Sequence, residues 1–271
     1  MNIEQLTNLT TQVRRDILRM VHKVNSGHPG GSLGCAEFLV CLYNEVLDFQ
    51  LPFTMEGKDE DLFFLSNGHI SPVFYSVLAR RGFFPVSELS TFRLLNSRLQ
   101  GHPTPHEGLE GVRIASGSLG QGLSVAIGAA LSKKLNGDSH LVYTLHGDGE
   151  LQEGQIWEAA MSSAHYKLDN LCAFLDHNNL QIDGNVTEIM GIEPVNKKWE
   201  AFGWNVIEID GHDFEQILSA LDKAKQCKGK PTIVIAKTIK GKGVSFMENV
   251  CGFHGVAPTA EELEKALAEL A

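Results

Sequence analysis

The chain of 271 residues contains no run of about 18 consecutive apolar residues, so no part of it is expected to span a membrane. Its first residues, MNIEQLTNLT, lack the basic start and apolar core of an export signal. Excess positive charge is missing too. A formal net charge of −10 supplies no basic face for general nucleic-acid binding, although a cleft in an acidic protein can still be locally positive. The five cysteines (Cys35, Cys41, Cys172, Cys227, Cys251) are scattered, with no C-x-x-C pair and no His/Cys cluster. They read as reduced, packed thiols of a cytoplasmic protein rather than as a disulfide framework or a catalytic centre. The segment CKGKPT lacks the earlier glycine of a P-loop, which excludes a nucleoside-triphosphate site of that type. GSLGQG has the spacing G-x-x-G-x-G, follows no clear strand, and so does not read as a dinucleotide fingerprint. There is no internal repeat, low-complexity tract or linker, and residues 1–271 read as one domain.

What is present is an ordinary globular composition, 43% hydrophobic and 21% charged, with strongly periodic segments. Leu6, Leu9, Val13, Ile17, Val21 and Val24 recur at helical steps, predicting an opening amphipathic helix that stops at the Gly- and Pro-containing stretch 25–32. A second helical run covers about 34–46. Leu62–Leu65 reads as a short buried strand leaving into a glycine turn. From about 120 onward the alternation is regular: helix 120–135, strand 140–146, helix 153–166, strand 170–176 and a helix near 194–202. Strand 204–210, helix 213–226, strand 231–237 and a terminal helix 259–270 complete it. Thr259 and Glu262 form a capping box at the start of that last helix, which reads as a natural finish. Short, continuous, aliphatic strands alternating with helices predict an α/β fold, a doubly wound, mainly parallel sheet with helices on both faces.

In such sheets ligands gather beyond the carboxyl ends of the strands. HGDG (146–149) leaves one predicted strand there and DHNN (176–179) leaves the next, with one helix between. Asp148, the Asn178 amide oxygen and a backbone carbonyl just after it form an all-oxygen set suited to a hard divalent cation such as Mg²⁺. Three protein oxygens leave an octahedral ion incomplete, and a diphosphate plus water would complete it. The Gly149 amide, near the start of the following helix, is expected to donate to that diphosphate. Gly-Asp-Gly alone is a common turn and Asn-Asn after a strand is equally weak; their combination on consecutive strands is what carries weight.

Residues 147–149 and 178–179 match the cofactor motif of thiamin diphosphate enzymes, and the sequence resembles the N-terminal part of transketolase along nearly its whole length. NSGHPGG, LSNGH, the GHP at 101–103, GSLGQG, GDGELQEGQIWEA, DHNNLQIDG, KTIKGKG and FHGVAPT occur in the expected order. The resemblance implies a thiamin diphosphate-binding fold, with Asp148, Asn178 and the Leu180 carbonyl holding Mg²⁺ (or Ca²⁺ or Mn²⁺). It places His69, Gly149 and His254 at the diphosphate, makes Gly117, Glu150 and Asn178 cofactor-binding, and sets Leu119 and Ile182 on either side of the thiazolium. His28, His69, His102 and His254 resemble the family's active-site histidines, whose near-neutral intrinsic pKa suits proton transfer to sugar hydroxyls. Glu153 is similar to an acidic residue in a proton network at the family's subunit interface, and it also suits a helix N-terminus. Glu158 carries the same ambiguity. Lys237, Lys240 and Lys242 read as solvated or near the cofactor mouth, with no assigned role.

The family's pyrimidine-binding and C-terminal domains have no match here, nor does the glutamate that the pyrimidine domain supplies. The resemblance therefore implies a split enzyme, a two-of-each heterotetramer. In it this chain is the diphosphate-binding subunit, and its partner is a C-terminal transketolase subunit. The implied reaction moves a two-carbon ketol unit from a ketose phosphate to an aldose phosphate, with pentose phosphates as the default sugars. Alternatives are a deoxyxylulose-phosphate-type synthase, a 2-oxo-acid decarboxylase, a transketolase for an unusual sugar, or a binding module that has lost its chemistry. No nucleic-acid or membrane partner is expected.

Overall fold

The structure, a computed structural model, describes residues 1–271. Helix α1 (Ile3–Lys23) opens on a capping box, the Asn2 side chain accepting the Gln5 amide while the Gln5 side chain accepts that of Asn2. This satisfies two of the amides a helix start leaves free. Its apolar face, from Leu6 to Val21, is buried. Helices α2 (Pro29–Gly34) and α3 (Ala36–Cys41) follow, the latter running into a wider turn over Leu42–Val46. Strand β1 (Leu62–Leu65) leads to helix α4 (Ser71–Arg80), and a long stretch with only 3₁₀ turns connects to α5 (Gln121–Leu135).

Alternation then sets in with β2 (Val142–Gly147), α6 (Gly154–His165) and β3 (Leu171–His177). A short hairpin, β4 (Leu180–Gln181) with β5 (Gly184–Asn185), precedes α7 (Val186–Ile189) and α8 (Val195–Ala201). Strand β6 (Asn205–Asp210), α9 (Phe214–Gln226), β7 (Thr232–Lys237) and α10 (Ala260–Glu269) finish the chain.

The main sheet is parallel throughout, in the order β1-β2-β3-β7-β6. Alternate strand residues serve two separate cores, as the two-residue period of a strand requires. Phe63, Leu65, Tyr143, Phe174 and Val234 pack with α1, α3, α4 and α9. Leu62, Phe64, Val142, Ala173 and Ile233 pack with α5, α6, α8 and the Trp199–Trp204 pair. The doubly wound expectation is met, and the capping box at Thr259 and Glu262 forms as read.

Several segments differ from the sequence reading, among them the β4–β5 hairpin with α7, where no element was expected. Helix α4 was not foreseen: every residue from Ser71 to Ala79 is buried, so no polar face marks the period. Helix α2 begins at Pro29, inside the stretch read as a helix stop. Its glycines serve packing: a Cβ at Gly30 would lie 2.9 Å from the Phe253 carbonyl, and one at Gly34 would lie 3.0 Å from that of Ile239. The chain after β7 rests directly on α2.

Strands β1 to β3 progress one way across the sheet; the chain then jumps to the edge at β6 and returns to β7. The direction of winding reverses between β3 and β7, the topological switch point at which doubly wound sheets bind ligands.

Candidate active site

At that switch point a cleft of about 300 Å³ opens beyond the ends of β1, β2, β3 and β7. All thirteen residues assigned to the site from sequence line it: His28, His69, His102, Gly117, Leu119, Asp148, Gly149, Glu150, Glu153, Asn178, Leu180, Ile182 and His254. They come from positions spread along most of the chain.

The oxygen set sits at its floor. Asp148, fully buried, accepts the Gly149 amide on one oxygen at 2.7 Å and the Asn179 amide on the other. Asn178 donates its amide to Asp176 at 2.9 Å and accepts the Leu180 N–H on its oxygen at 2.9 Å, leaving a second lone pair free. Burial and the neighbouring Asp176 carboxylate push the Asp148 carboxyl up to about 7. Two buried carboxylates, an amide oxygen and a carbonyl thus line one floor, with the Lys240 ammonium beside them at the Leu180 carbonyl. The donor chemistry fits a hard divalent ion.

The Gly149 N–H donates to the Asp148 carboxylate at 2.7 Å. Beside it, Glu150 also lines the cleft. Its carboxylate, 2% exposed, accepts the Gly120 amide at 2.9 Å, the Gly147 amide at 3.1 Å and the Ser66 hydroxyl. Although burial alone would raise it, His146 and these donors hold it below the usual carboxylate range. Glu150 ties three walls of the cleft together from beneath. Glu153 is the N-cap of α6 without a side-chain cap bond, exposed at the rim.

The four histidines face one another. Ring centroids lie 5.2 Å apart for His28–His69, 5.4 Å for His28–His254, 5.1 Å for His69–His254 and 6.1 Å for His28–His102. Burial lowers all four, helped by the positive charge of Arg93 at His28 and His102 and of Lys240 at His28, His69 and His254. His28 falls to about 4 and His254 to about 3. The cleft is therefore walled by neutral imidazoles at pH 7, able to donate and accept protons without repelling one another.

Neutral burial has a cost in acid. The unfolded chain protonates these rings near 6.5, whereas the folded chain resists until about 4 for His28 and about 3 for His254. Their contribution is intact above pH 6.5 and is lost as pH falls towards those lower values. We expect the melting temperature to fall by several degrees between pH 7 and pH 5, and the His28→Asn/His254→Asn variant to show a flatter profile. Equal slopes would count against this cause.

Sequence reasoning missed four lining or neighbouring groups. Lys240, read as solvated or near the mouth, is 3% exposed and donates to the Leu180 carbonyl at 3.1 Å; nothing in a lysine-rich loop marks the buried one. Asn67 and Ser116 lie on the cleft with Oδ1 and Oγ buried and unpartnered, as are Nδ1 of His28 and of His254. Such atoms mark a place for a ligand. Asn67 lies within the LSNGH motif and could have been singled out. Arg93, with φ +57°, donates to the Ser26 hydroxyl at 2.9 Å and has no sequence signal at all. Gly122 of GSLGQG serves packing: a Cβ there would lie 2.5 Å from Ser66.

Comparison with known proteins agrees with this geometry. Residues 7–270 match the family "Transketolase, thiamine diphosphate binding domain". The chain is 42% identical to a 6-deoxy-6-sulfo-D-fructose transketolase subunit from Clostridium sp. (strain MSTE9), covering 95% of this chain and 93% of that one. It is 38% identical to an apulose-4-phosphate transketolase subunit of Phocaeicola vulgatus, covering 100% of this chain and 95% of that one. It superposes on transketolase of Campylobacter jejuni with a TM-score of 0.92 at 37% identity, covering all of this chain but 43% of that enzyme. The chain belongs to the transketolase thiamine diphosphate-binding domain family.

Proposed function

We propose, with that membership as premise, that this chain is the diphosphate-binding subunit of a transketolase completed by a separate C-terminal subunit. The reaction moves a two-carbon ketol unit from a ketose to an aldose, each carrying an anionic tail. Two relatives of similar length are named for 6-deoxy-6-sulfo-D-fructose and apulose 4-phosphate, so the tail is a sulfonate or a phosphate. The observation that carries this reading is the meeting of four neutral imidazoles with the Asp148–Asn178–Leu180 oxygen set in one cleft.

Asp148, Asn178 and the Leu180 carbonyl would hold the divalent ion, and Lys240 and His69 would face the diphosphate. Thiamin diphosphate, when bound, supplies a carbanion that adds to a ketone and stabilises the charge left by carbon–carbon cleavage. This chain's part is to place and protonate. Leu119 and Ile182 offer an apolar wall on either side of the ring. His28, His102 and His254 hold sugar hydroxyls and pass protons at the oxygens beside the bond that breaks. We place the working complex in the cytoplasm, as a heterotetramer with two copies of each chain.

The test mixes this chain, its partner subunit, Mg²⁺ and thiamin diphosphate with xylulose 5-phosphate, sulfofructose or apulose 4-phosphate, plus an aldose phosphate acceptor. Mass spectrometry should show a product two carbons longer than the acceptor. Decarboxylation of pyruvate without ketol transfer would replace this reading with the decarboxylase alternative.

A further inference from the structure

Lys240 is the buried cation nearest the oxygen set, and its loop is held by unusually specific pins. The Gly241 amide donates to the Gly30 carbonyl at 2.8 Å. The Ile239 amide donates to Nε2 of His212, also at 2.8 Å. An imidazole nitrogen that accepts from an amide carries no proton, so the proton of His212 is on Nδ1. That nitrogen faces Oε2 of Glu37 at 3.3 Å. Glu37 is itself fixed by Arg14, whose guanidinium reaches both carboxylate oxygens at 2.7 Å and the Leu33 carbonyl at 3.1 Å.

Arg14 and Glu37 are buried. Removing one partner of such a pair leaves an uncompensated charge, so the pair has a fixed geometry to pass on. From α1 through α3, this chain of contacts ends on a single backbone amide next to Lys240. The side chain of Lys240 then runs past Gly30, where an added Cβ would lie 3.0 Å from its Cγ, and reaches the Leu180 carbonyl.

We propose that His212, as the Nδ1–H tautomer bridging Glu37 and the Ile239 amide, is a positioning residue for Lys240 and thereby for the diphosphate end of the cleft. It touches neither cofactor nor sugar. Its acceptor nitrogen sets where the loop backbone lies, and the loop backbone sets where the ammonium points. The proposal rests on the cofactor reading above only for the ligand that Lys240 meets.

The test uses two shape-conserving variants in the complex with the partner subunit. His212→Gln places an acceptor oxygen where Nε2 stands and should keep the pin. His212→Asn keeps a donor for Glu37 but is too short to reach Ile239. With thiamin diphosphate titrated at saturating Mg²⁺ and followed by tryptophan fluorescence, His212→Asn should bind about tenfold more weakly and His212→Gln within about threefold of the parent. The loss should appear in KM for the cofactor more than in kcat. Combined with Lys240→Met, His212→Asn should add no further weakening, because the two act through one contact. Hydrogen exchange should show Ile239 and Gly241 amides deprotected at least tenfold in His212→Asn alone. Unchanged affinity in His212→Asn, equal loss in His212→Gln, or fully additive effects with Lys240→Met would each overturn the proposal. If the parent complex binds no thiamin diphosphate, the functional reading fails, while the exchange data still decide whether His212 sets the loop.

Discussion

Asp148→Ala is expected to reduce ketol transfer by on the order of a thousandfold or more, equivalent to about 4 kcal/mol of lost transition-state stabilisation. Two observations set that scale. Asp148 is the one carboxylate of the proposed ligand set, and it is buried against Asp176, with its own proton held up to about 7. A site that strained for positive charge gains most from a cation and loses most when the ligand is removed. Both Asp148 oxygens also accept backbone amides, from Gly149 and Asn179, so the substitution loosens the turn as well. Circular dichroism and co-elution with the partner subunit separate the two effects. A folded, partner-bound variant that no longer retains thiamin diphosphate in Mg²⁺ confirms the ligand role, whereas a variant with near-parental turnover would remove the basis of the proposed site.

The second large effect concerns the partner. Supplied with Mg²⁺ and thiamin diphosphate but no second subunit, this chain is expected to make no ketol-transfer product above the uncatalysed background. Adding the partner should raise the rate by at least about a thousandfold, the scale at which a missing catalytic group is felt. The chain spans 43% of the Campylobacter transketolase and 42% of the rat enzyme. The glutamate that the resemblance assigns to the pyrimidine-binding domain has no counterpart among the cleft residues. Ile182, offered as one wall of the ring site, is 63% exposed, and Glu153 stands at the open rim. A stoichiometric titration monitored by coupled assay measures the effect. Turnover that does not change as partner is added would mean that this chain works by itself.

Much of the architecture was legible because β2, β3 and β7 are short aliphatic runs separated by helices of clear period. Asp148 and Asn178 were legible because they stand in turns just beyond β2 and β3, whereas the histidines, Gly117, Leu119, Ile182 and Glu153 came from the family resemblance. Helix α4 was hidden by the burial of Ser71 to Ala79 on every side, which erases the contrast that a helical period needs. Helix α2 was hidden by glycine, whose usual meaning as a terminator is reversed when another backbone lies against it. Lys240 and Arg93 were illegible for a different reason. Arg93 carries no local pattern, and Lys240 stands in KTIKGKG beside two other lysines, where the motif does not say which one is buried; distant loops coming to rest decide both.

The cleft draws its walls from the ends of four strands and from loops near both ends of the chain. Its lining residues run from His28 to His254. Recognition is thus a property of the finished fold, and occupancy would strengthen the domain as a unit instead of stiffening one corner.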